Sequence, residues 1–225
     1  MRGSGASNYV PALGFRWLTP YYDVVVGLTT RERAFKRALI GQADIRPGQR
    51  VLDLGCGTGT LSVWIAQSCP EADIVGVDGD REALAIAKEK AERAGVAVRF
   101  DEAMADELPY PDEHFDRVLA SLFFHHLSRS AKERTIREVC RVLRPGGRLH
   151  VADWGRPSNA LMRMLFFPVQ LLDGFSNTQD HVEGRLPELL RSGGFVDVAE
   201  GPTFATMLGT MALYSAAKPL RFAAR

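Results

Sequence analysis

Between residues 51 and 59 the chain reads Val-Leu-Asp-Leu-Gly-Cys-Gly-Thr-Gly, a buried-type apolar run that ends in three alternating glycines. Glycine enters left-handed backbone without steric cost, so a run of this kind turns sharply and brings its backbone close to whatever lies beside it. The residues before it, Arg50–Leu54, suit a buried strand, and those after it, Thr60–Ser68, suit a helix. The same alternation then continues. Asp73–Val77 is a second expected strand, Arg81–Ala94 a helix closed by Gly95, and Val96–Phe100 a third strand. Phe115–Ser121 is a fourth, Ser130–Leu143 a helix stopped by Pro145-Gly146-Gly147, and Arg148–Ala152 a fifth. Short apolar strands separated by helices specify βαβ units on a parallel sheet, hence a doubly wound α/β domain.

Flanking elements complete the expectation. An amphipathic helix falls near residues 30–41, with Thr29 or Thr30 as its cap, and another falls at Gly184–Ser192. Phe195–Glu200 and Phe204–Ala216 read as a strand and one long final strand. Residues 1–20 read as an irregular segment, 21–216 as one domain with an N-terminal cap at 21–45, and 217–225 as a tail. One stretch breaks the rhythm: 154–183 is far longer than the usual connection of 2–6 residues. Within it, residues 160–175 are apolar nearly all round and are interrupted by Pro168. The plain reading is a buried lid or core helix; a lipophilic pocket, an oligomer interface or a membrane-surface contact are the alternatives.

Composition narrows the function classes. Lys plus Arg is 28 against 27 for Asp plus Glu, a net charge of +1 that lacks the footprint of a dedicated nucleic-acid binder. Cys56, Cys69 and Cys140 form no CxxC pair and no zinc-type spacing, so reduced thiols and no metal are expected. The first ten residues carry one Arg and no apolar core, unlike a signal peptide, and no long uninterrupted apolar window exists. A cytoplasmic protein is the expectation.

The glycine loop also selects a ligand. Its spacing is GxGxG rather than the GxGxxG of dinucleotide binders. Asp53 stands two residues before the first glycine, where an anion repels pyrophosphate and attracts ammonium. Asp78 ends the second strand, where a carboxylate holds both hydroxyls of a ribose. A ligand with an amino-acid end and a nucleoside end is required, and S-adenosylmethionine has both.

With these residues in view, the chain resembles the class I S-adenosylmethionine-dependent methyltransferases, in particular the bacterial quinone-biosynthesis group. VLDLGCGTG is similar to their first motif and VDGD (77–80) to their second. LPYPDEHFDRVLASLFFHHL (108–127) resembles the segment around their fourth strand, and REVCRVLRPGGRLHVADW (137–154) their helix-turn-strand. The resemblance implies a Rossmann-like, mostly parallel seven-stranded sheet with an antiparallel C-terminal strand and helices on both faces. It implies that the amides around Gly55, Cys56, Gly57, Thr58 and Gly59 pack against the methionyl part and that Asp53 meets the ammonium. Asp78 would bind the ribose, Gly79 would lie beside the adenine, and Ser121 would contact the methionine end. The family's Gly-Asp-Ala triplet falls on Ala103-Met104-Ala105, so Met104 replaces the carboxylate that holds the adenine amino group. Met104 would then cover the ring, the Ala105 amide would reach it, and Asp106 is a substitute by a small shift.

For chemistry, the cluster Ser121–Leu127 carries His125 and His126 at the sheet edge where ligands bind in such folds. In some relatives the position matching His126 is a general base oriented by an Asp four residues earlier; here that residue is Leu122. Tyr22, in Tyr21-Tyr22-Asp23, resembles a residue that closes over cofactor and substrate. The seven Lys/Arg between Arg129 and Arg148 read as the solvated face of a helix, and His114, His150 and His181 carry no signal. The leading function is methyl transfer to a small molecule at O, N, S or C, yielding S-adenosylhomocysteine. A lipid or quinone acceptor met at a membrane, a cofactor binder without turnover, and a less favoured NAD-dependent dehydrogenase are the competing readings. A homo-oligomer through 160–175 is a further expectation.

Overall fold

The strands pair because their sequences are apolar on both faces, and the order in which they pair creates the site. A computed structural model describes residues 27–221. Helix α1 (Glu32–Ala43) precedes β1 (Arg50–Leu54), α2 (Thr60–Ser68), β2 (Asp73–Asp78), α3 (Arg81–Ala94) and β3 (Arg99–Glu102). Then come β4 (Phe115–Ser121), a 3₁₀ turn (Phe124–His126), α4 (Arg129–Val142) and β5 (Leu143–Trp154). Helices α5 (Ala160–Leu165), α6 (Phe167–Asp173), α7 (Phe175–Val182) and α8 (Leu186–Ser192) lead to β6 (Val196–Thr206) and β7 (Gly209–Ala217). The seven strands form one sheet in the order β3-β2-β1-β4-β5-β7-β6. β3 through β5 run parallel, and β7 lies antiparallel between β5 and β6.

Successive strand residues face opposite sides, so each strand feeds two cores. Leu52, Leu54, Val118 and Ala120 pack with Ile136 and Val139 of α4 and Leu190 of α8. Val51 and Leu119 pack on the other side with Phe35 and Leu39 of α1 and Ile65 of α2. The chain runs outward from β1 to β3 and returns to β4 on the opposite flank. The carboxyl ends of β1 and β4 therefore diverge into a crevice, the usual ligand position in an open α/β sheet.

Strand and helix order match the sequence reading; several boundaries do not. The helix expected near 30–41 begins at Glu32 behind a left-handed Arg31 (φ 58°) that makes no side-chain cap bond, not behind a capping Thr29 or Thr30. β3 starts at Arg99 rather than Val96, because Gly95 caps α3 in left-handed backbone and Val96 and Val98 pack beneath the helices. α4 ends at Val142, and Pro145-Gly146-Gly147 lie within β5 beside a register shift against β4. The expected final strand 204–216 is two strands. Residues 204–206 end β6, and the chain reverses through Met207-Leu208, with Thr206 Oγ1 accepting from the Leu208 amide at 3.1 Å and donating to the Gly209 carbonyl at 2.8 Å. Residues 160–175 are not a buried helix but parts of three short ones. They bury Met162, Phe166, Val169 and Gln170 and expose Leu161, Met164, Phe167, Leu171, Leu172 and Phe175. Nor is the 129–148 run wholly a solvated face, since Lys132 is fully buried.

Candidate active site

The β1–α2 turn is made by glycines at φ 68°, 53° and 76° (Gly55, Gly57, Gly59). Two of them have no room for a side chain. A Cβ on Gly55 would lie 2.1 Å from Phe123 Cδ2, and one on Gly59 would lie 2.7 Å from Ala87 Cβ. Four of the turn's five amides donate inside the protein. Gly55 and Cys56 donate to the Val77 carbonyl (2.8 and 3.0 Å), Gly59 to the Cys56 carbonyl (2.9 Å), and Gly57 to Asp78 Oδ2 (2.8 Å). Asp78 Oδ1 accepts from the Asp80 amide at 2.9 Å, so two backbone donors fix this carboxylate at the end of β2.

A cavity of about 800 Å³ opens above the β1/β4 crevice. Asp53, Gly55, Cys56, Thr58, Asp78, Gly79, Met104, Ala105, Ser121 and His126 all line it. Of the expected cofactor residues, Gly57 and Gly59 do not; they shape the turn instead. His125 points away from the cavity into the protein, and Tyr22 lies outside the described residues. Asp53 is buried and accepts from Ser62 Oγ at 2.5 Å. Burial pushes its carboxyl up to about 6; the Ser62 bond and the nearby Lys36 charge oppose this, and Asp78 adds to it. Burial also raises Asp78, against the Asp80 and Gly57 amides that favour its anion. Burial drives the Cys56 thiol well above its ordinary range, which leaves it an unreactive wall atom. Ser121 Oγ is buried with no hydrogen-bond partner among the described residues. A buried carboxylate, a clamped carboxylate and an orphaned hydroxyl across one cavity suit a ligand bearing ammonium, ribose and further polar groups. The described residues therefore fit S-adenosylmethionine.

Two lysines in this wall escaped the sequence reading. Lys36 of α1 lines the cavity and is held by Glu32 at 2.5 Å. Lys90 of α3 binds Thr58 Oγ1 (3.1 Å) and Thr60 Oγ1 (2.7 Å), tying the turn to its neighbouring helix.

The opposite wall is built from side chains. Leu122, buried at the end of β4, adopts left-handed backbone (φ 54°), a strained state that turns the chain into the 3₁₀ helix carrying the histidines. His125 Nδ1 lies 2.6 Å from Asp153 Oδ1, and the His125 amide donates to Asp153 Oδ2 at 3.2 Å. Burial disfavours the imidazolium, yet the Asp153 and Asp173 carboxylates win and raise His125. Asp153 stays far below the usual carboxylate range despite its burial, because His125 and His181 face it. His126 borders the cavity, and its orienting carboxylate comes from α6 rather than from position 122. Asp173 Oδ1 is 3.1 Å from His126 Nδ1, off the axis of an aligned hydrogen bond, and Asp173 Oδ2 is 3.6 Å from His125 Nε2. Those imidazoles hold Asp173 low against its burial. Asn177 of α7 donates to the carbonyls of His126 (3.2 Å) and Asp173 (3.0 Å), and buried Lys132 binds the Asn177 carbonyl and Asp180 Oδ2 (3.2 Å). His181, silent in the sequence, sits behind this cluster with Nδ1 2.7 Å from the Trp154 carbonyl; burial lowers it to about 4.

Comparison with known proteins gives the class. Residues 51–147 match the family described as a methyltransferase domain. The chain is 35% identical over 154 residues to the demethylmenaquinone methyltransferase of Thermus thermophilus, covering 68% of this chain and 69% of that one. It is 36% identical over 137 residues to the ubiquinone/menaquinone biosynthesis C-methyltransferase UbiE of Azotobacter vinelandii, covering 60% of this chain and 53% of that one. Its fold is similar to that of phosphoethanolamine N-methyltransferase 2 of Haemonchus contortus, solved with phosphomonomethylethanolamine and S-adenosylhomocysteine. The TM-score is 0.73 at 17% identity, over 97% of this chain and 61% of that one. The chain belongs to the S-adenosylmethionine-dependent methyltransferases. It is an enzyme of that class acting on a small molecule, and the methyl acceptor is what the site must still specify.

Proposed function

We propose that this protein methylates a small hydroxylated aromatic of the quinol class, at a ring carbon or at oxygen, after a hydroxyl proton has been removed. One observation carries the reading: Asp53, Asp78 and His126 line the same cavity. Bound S-adenosylmethionine supplies an electrophilic methyl group. On its side of the cavity Asp53 meets the ammonium, Lys36 the carboxylate and Asp78 the ribose hydroxyls, while Met104 and the Ala105 amide border the adenine. Ser121 takes a polar atom of the methionyl end. In-line transfer then needs alignment and a deprotonated acceptor. His126 is the imidazole bordering the acceptor side of the cavity, placed to take the acceptor's proton. Phe123 and Leu127 supply apolar wall for a ring. The names of the quinone-biosynthesis relatives support an acceptor of this class.

A second reading concerns where the acceptor is met. The 154–183 segment forms a lid whose outer surface carries exposed Leu161, Met164, Phe167, Leu171, Leu172 and Phe175. That face suits an acceptor with a lipid tail taken from a membrane surface by a cytoplasmic enzyme; a second copy of the chain is the competing occupant. No helix among the described residues is long and apolar enough to cross a membrane. The test is formation of S-adenosylhomocysteine across quinols with and without an isoprenoid tail, catechols, thiols and ethanolamine phosphates. Turnover confined to the hydroxylated rings supports the proposal. Turnover confined to amines or thiols overturns it, and cofactor binding with no turnover on any of them leaves only a binding protein.

A further inference from the structure

The acceptor wall holds a group of donor atoms that the sequence does not place together. His125 and His126 are adjacent, their ring centroids 3.9 Å apart, and Asp173 reaches them from another helix. One ring nitrogen from each histidine and one Asp173 carboxylate oxygen lie within 4.8 Å of one another. Asp173 Oδ1 lies 3.1 Å from His126 Nδ1 and Asp173 Oδ2 lies 3.6 Å from His125 Nε2, so each ring nitrogen approaches its own carboxylate oxygen. Metal–nitrogen and metal–oxygen bonds of about 2.0–2.1 Å in a tetrahedron put neighbouring donors about 3.3–3.4 Å apart.

Three further features point the same way. His126 Nδ1 is buried and makes no aligned hydrogen bond, so its ring nitrogen near the carboxylate is unsatisfied. His125 is held at its other nitrogen by the buried Asp153 carboxylate at 2.6 Å, the arrangement that orients a metal-bound imidazole. The charge count also fits. Asp153 and Asp173 bring two negative charges to this pocket, whereas the nearest buried cation, Lys132, is matched by Asp180 at 3.2 Å. A dication would balance the two carboxylates in place of a proton on the imidazoles.

We propose that His125, His126 and Asp173 form a site for a divalent transition-metal ion of the zinc type, with Asp153 as the positioning residue behind His125. Two imidazole nitrogens and one carboxylate suit zinc, cobalt or iron(II) rather than magnesium. Three protein ligands leave a coordination position open, and His126 borders the cavity. Of the three, His126 alone lines the cavity, so an open position on its side is where the hydroxyl of the methyl acceptor would bind; the inference rests on the methyltransferase reading and deepens it. In the loaded form His126 would be a ligand and no longer a base; the ion would lower the hydroxyl's pKa, and the proton would leave to water in the cavity.

The decisive measurement needs neither cofactor nor acceptor. The full chain is stripped with a chelator, dialysed and titrated with Co²⁺, read by its visible absorption, and with Zn²⁺ and Mg²⁺ by calorimetry. One equivalent of Co²⁺ or Zn²⁺ per chain is expected, with Mg²⁺ at least 100-fold weaker. Asp173→Asn should abolish the stoichiometric event, and Asp153→Asn should weaken it about 10–100-fold. His126→Gln serves as a second ligand variant should either aspartate variant fail to fold, and the thermal midpoint of each variant with and without Zn²⁺ reports folding and binding together. No saturable binding up to millimolar metal overturns the proposal, as does binding undiminished in Asp173→Asn or His126→Gln. If metal binding is absent while the stripped chain still turns over, only the metal site fails. If metal binds and no acceptor turns over, only the methyl-transfer reading fails.

Discussion

The two walls of the cavity are built by different means. The cofactor wall is local and made by backbone: within one strand-turn-helix and the strand beside it, three glycines set the turn and two amides hold Asp78. The acceptor wall is assembled across the chain from side chains. Asp153 meets His125 from 28 residues away, and Asn177 meets His126 from 51. Backbone geometry tolerates many sequences and so suits a ligand shared by a whole family. Side-chain geometry changes with single substitutions and so suits a ligand that differs between members. If this division is right, damage to one wall should leave the function of the other intact.

The largest effect should come from the acceptor wall. His126→Ala should lower turnover on a hydroxylated acceptor about 10²–10⁴-fold, with S-adenosylmethionine affinity by calorimetry unchanged. A thiol acceptor, partly ionised already at neutral pH, should be affected much less. Full activity of this variant on a phenolic acceptor between pH 6 and 9 would remove His126 from the mechanism, and a matching loss of cofactor affinity would break the separation of the walls.

Next is the reciprocal change. Asp53→Ala removes the anion facing the cofactor's ammonium, and a charge-assisted contact contributes about 1.5–3 kcal/mol. Cofactor affinity should fall about tenfold to a hundredfold while the pH profile of the chemical step keeps its shape. Unchanged affinity in a folded variant would take Asp53 out of the site.

The same residue gives a smaller effect with a defined sign. Burial places the Asp53 carboxyl at about 6 without ligand, and the ammonium needs its anion. Affinity should therefore be flat above neutrality and fall as pH drops through 6, by about tenfold at pH 5. Asp53→Asn should abolish that dependence. For folding the sign is reversed. A carboxyl raised above its ordinary value favours the folded state when protonated, so its contribution is present at low pH and lost as pH rises from about 4 to 6. At about 1.4 kcal/mol per pH unit this amounts to about 3 kcal/mol. Urea midpoints of wild type and Asp53→Asn across that range should converge at pH 4 and separate in favour of the variant at pH 7.

The contrast between the walls also sets what could be read from sequence. Thr60–Ser68, Arg81–Ala94 and Phe115–Ser121 are legible to the residue because periodicity, Gly95 and the glycine turn mark their ends. The Met207-Leu208 reversal is not, since it lacks an Asn-Gly or Asp-Gly pair and rests on Thr206 and on Gly209 at φ 124°. Asp53 and Asp78 could be found because they sit beside the glycines in sequence. Asp173 could not, because nothing in an apolar segment around Pro168 says that its one carboxylate turns inward to the histidines. Lys132 was hidden for the converse reason. It lies in a basic run whose other members are partly or fully solvated, and only the packing of α7 shows its partner.

The smallest expected effect tests how far the cofactor wall follows its family. Met104 borders the cavity, is 42% exposed, and occupies the position where the resemblance places a carboxylate. Its neighbour Asp106 also lines the cavity, with Oδ2 engaged by Arg134 at 2.9 Å. At position 104 itself the Met thioether offers only apolar cover in place of a carboxylate. Met104→Asp should add one hydrogen bond of about 1 kcal/mol net and tighten S-adenosylmethionine about fivefold. Repulsion from Asp106 and Asp78 acts against the gain, so raising the salt concentration should increase it rather than diminish it. Adenosine alone should gain as much as the whole cofactor, since the new contact lies at the base. A tightening seen with the cofactor but absent with adenosine would mean that the substitution acts through the methionyl end. A weakening of both would place the 103–105 loop away from the adenine and confine the family's geometry to the glycine turn and Asp78.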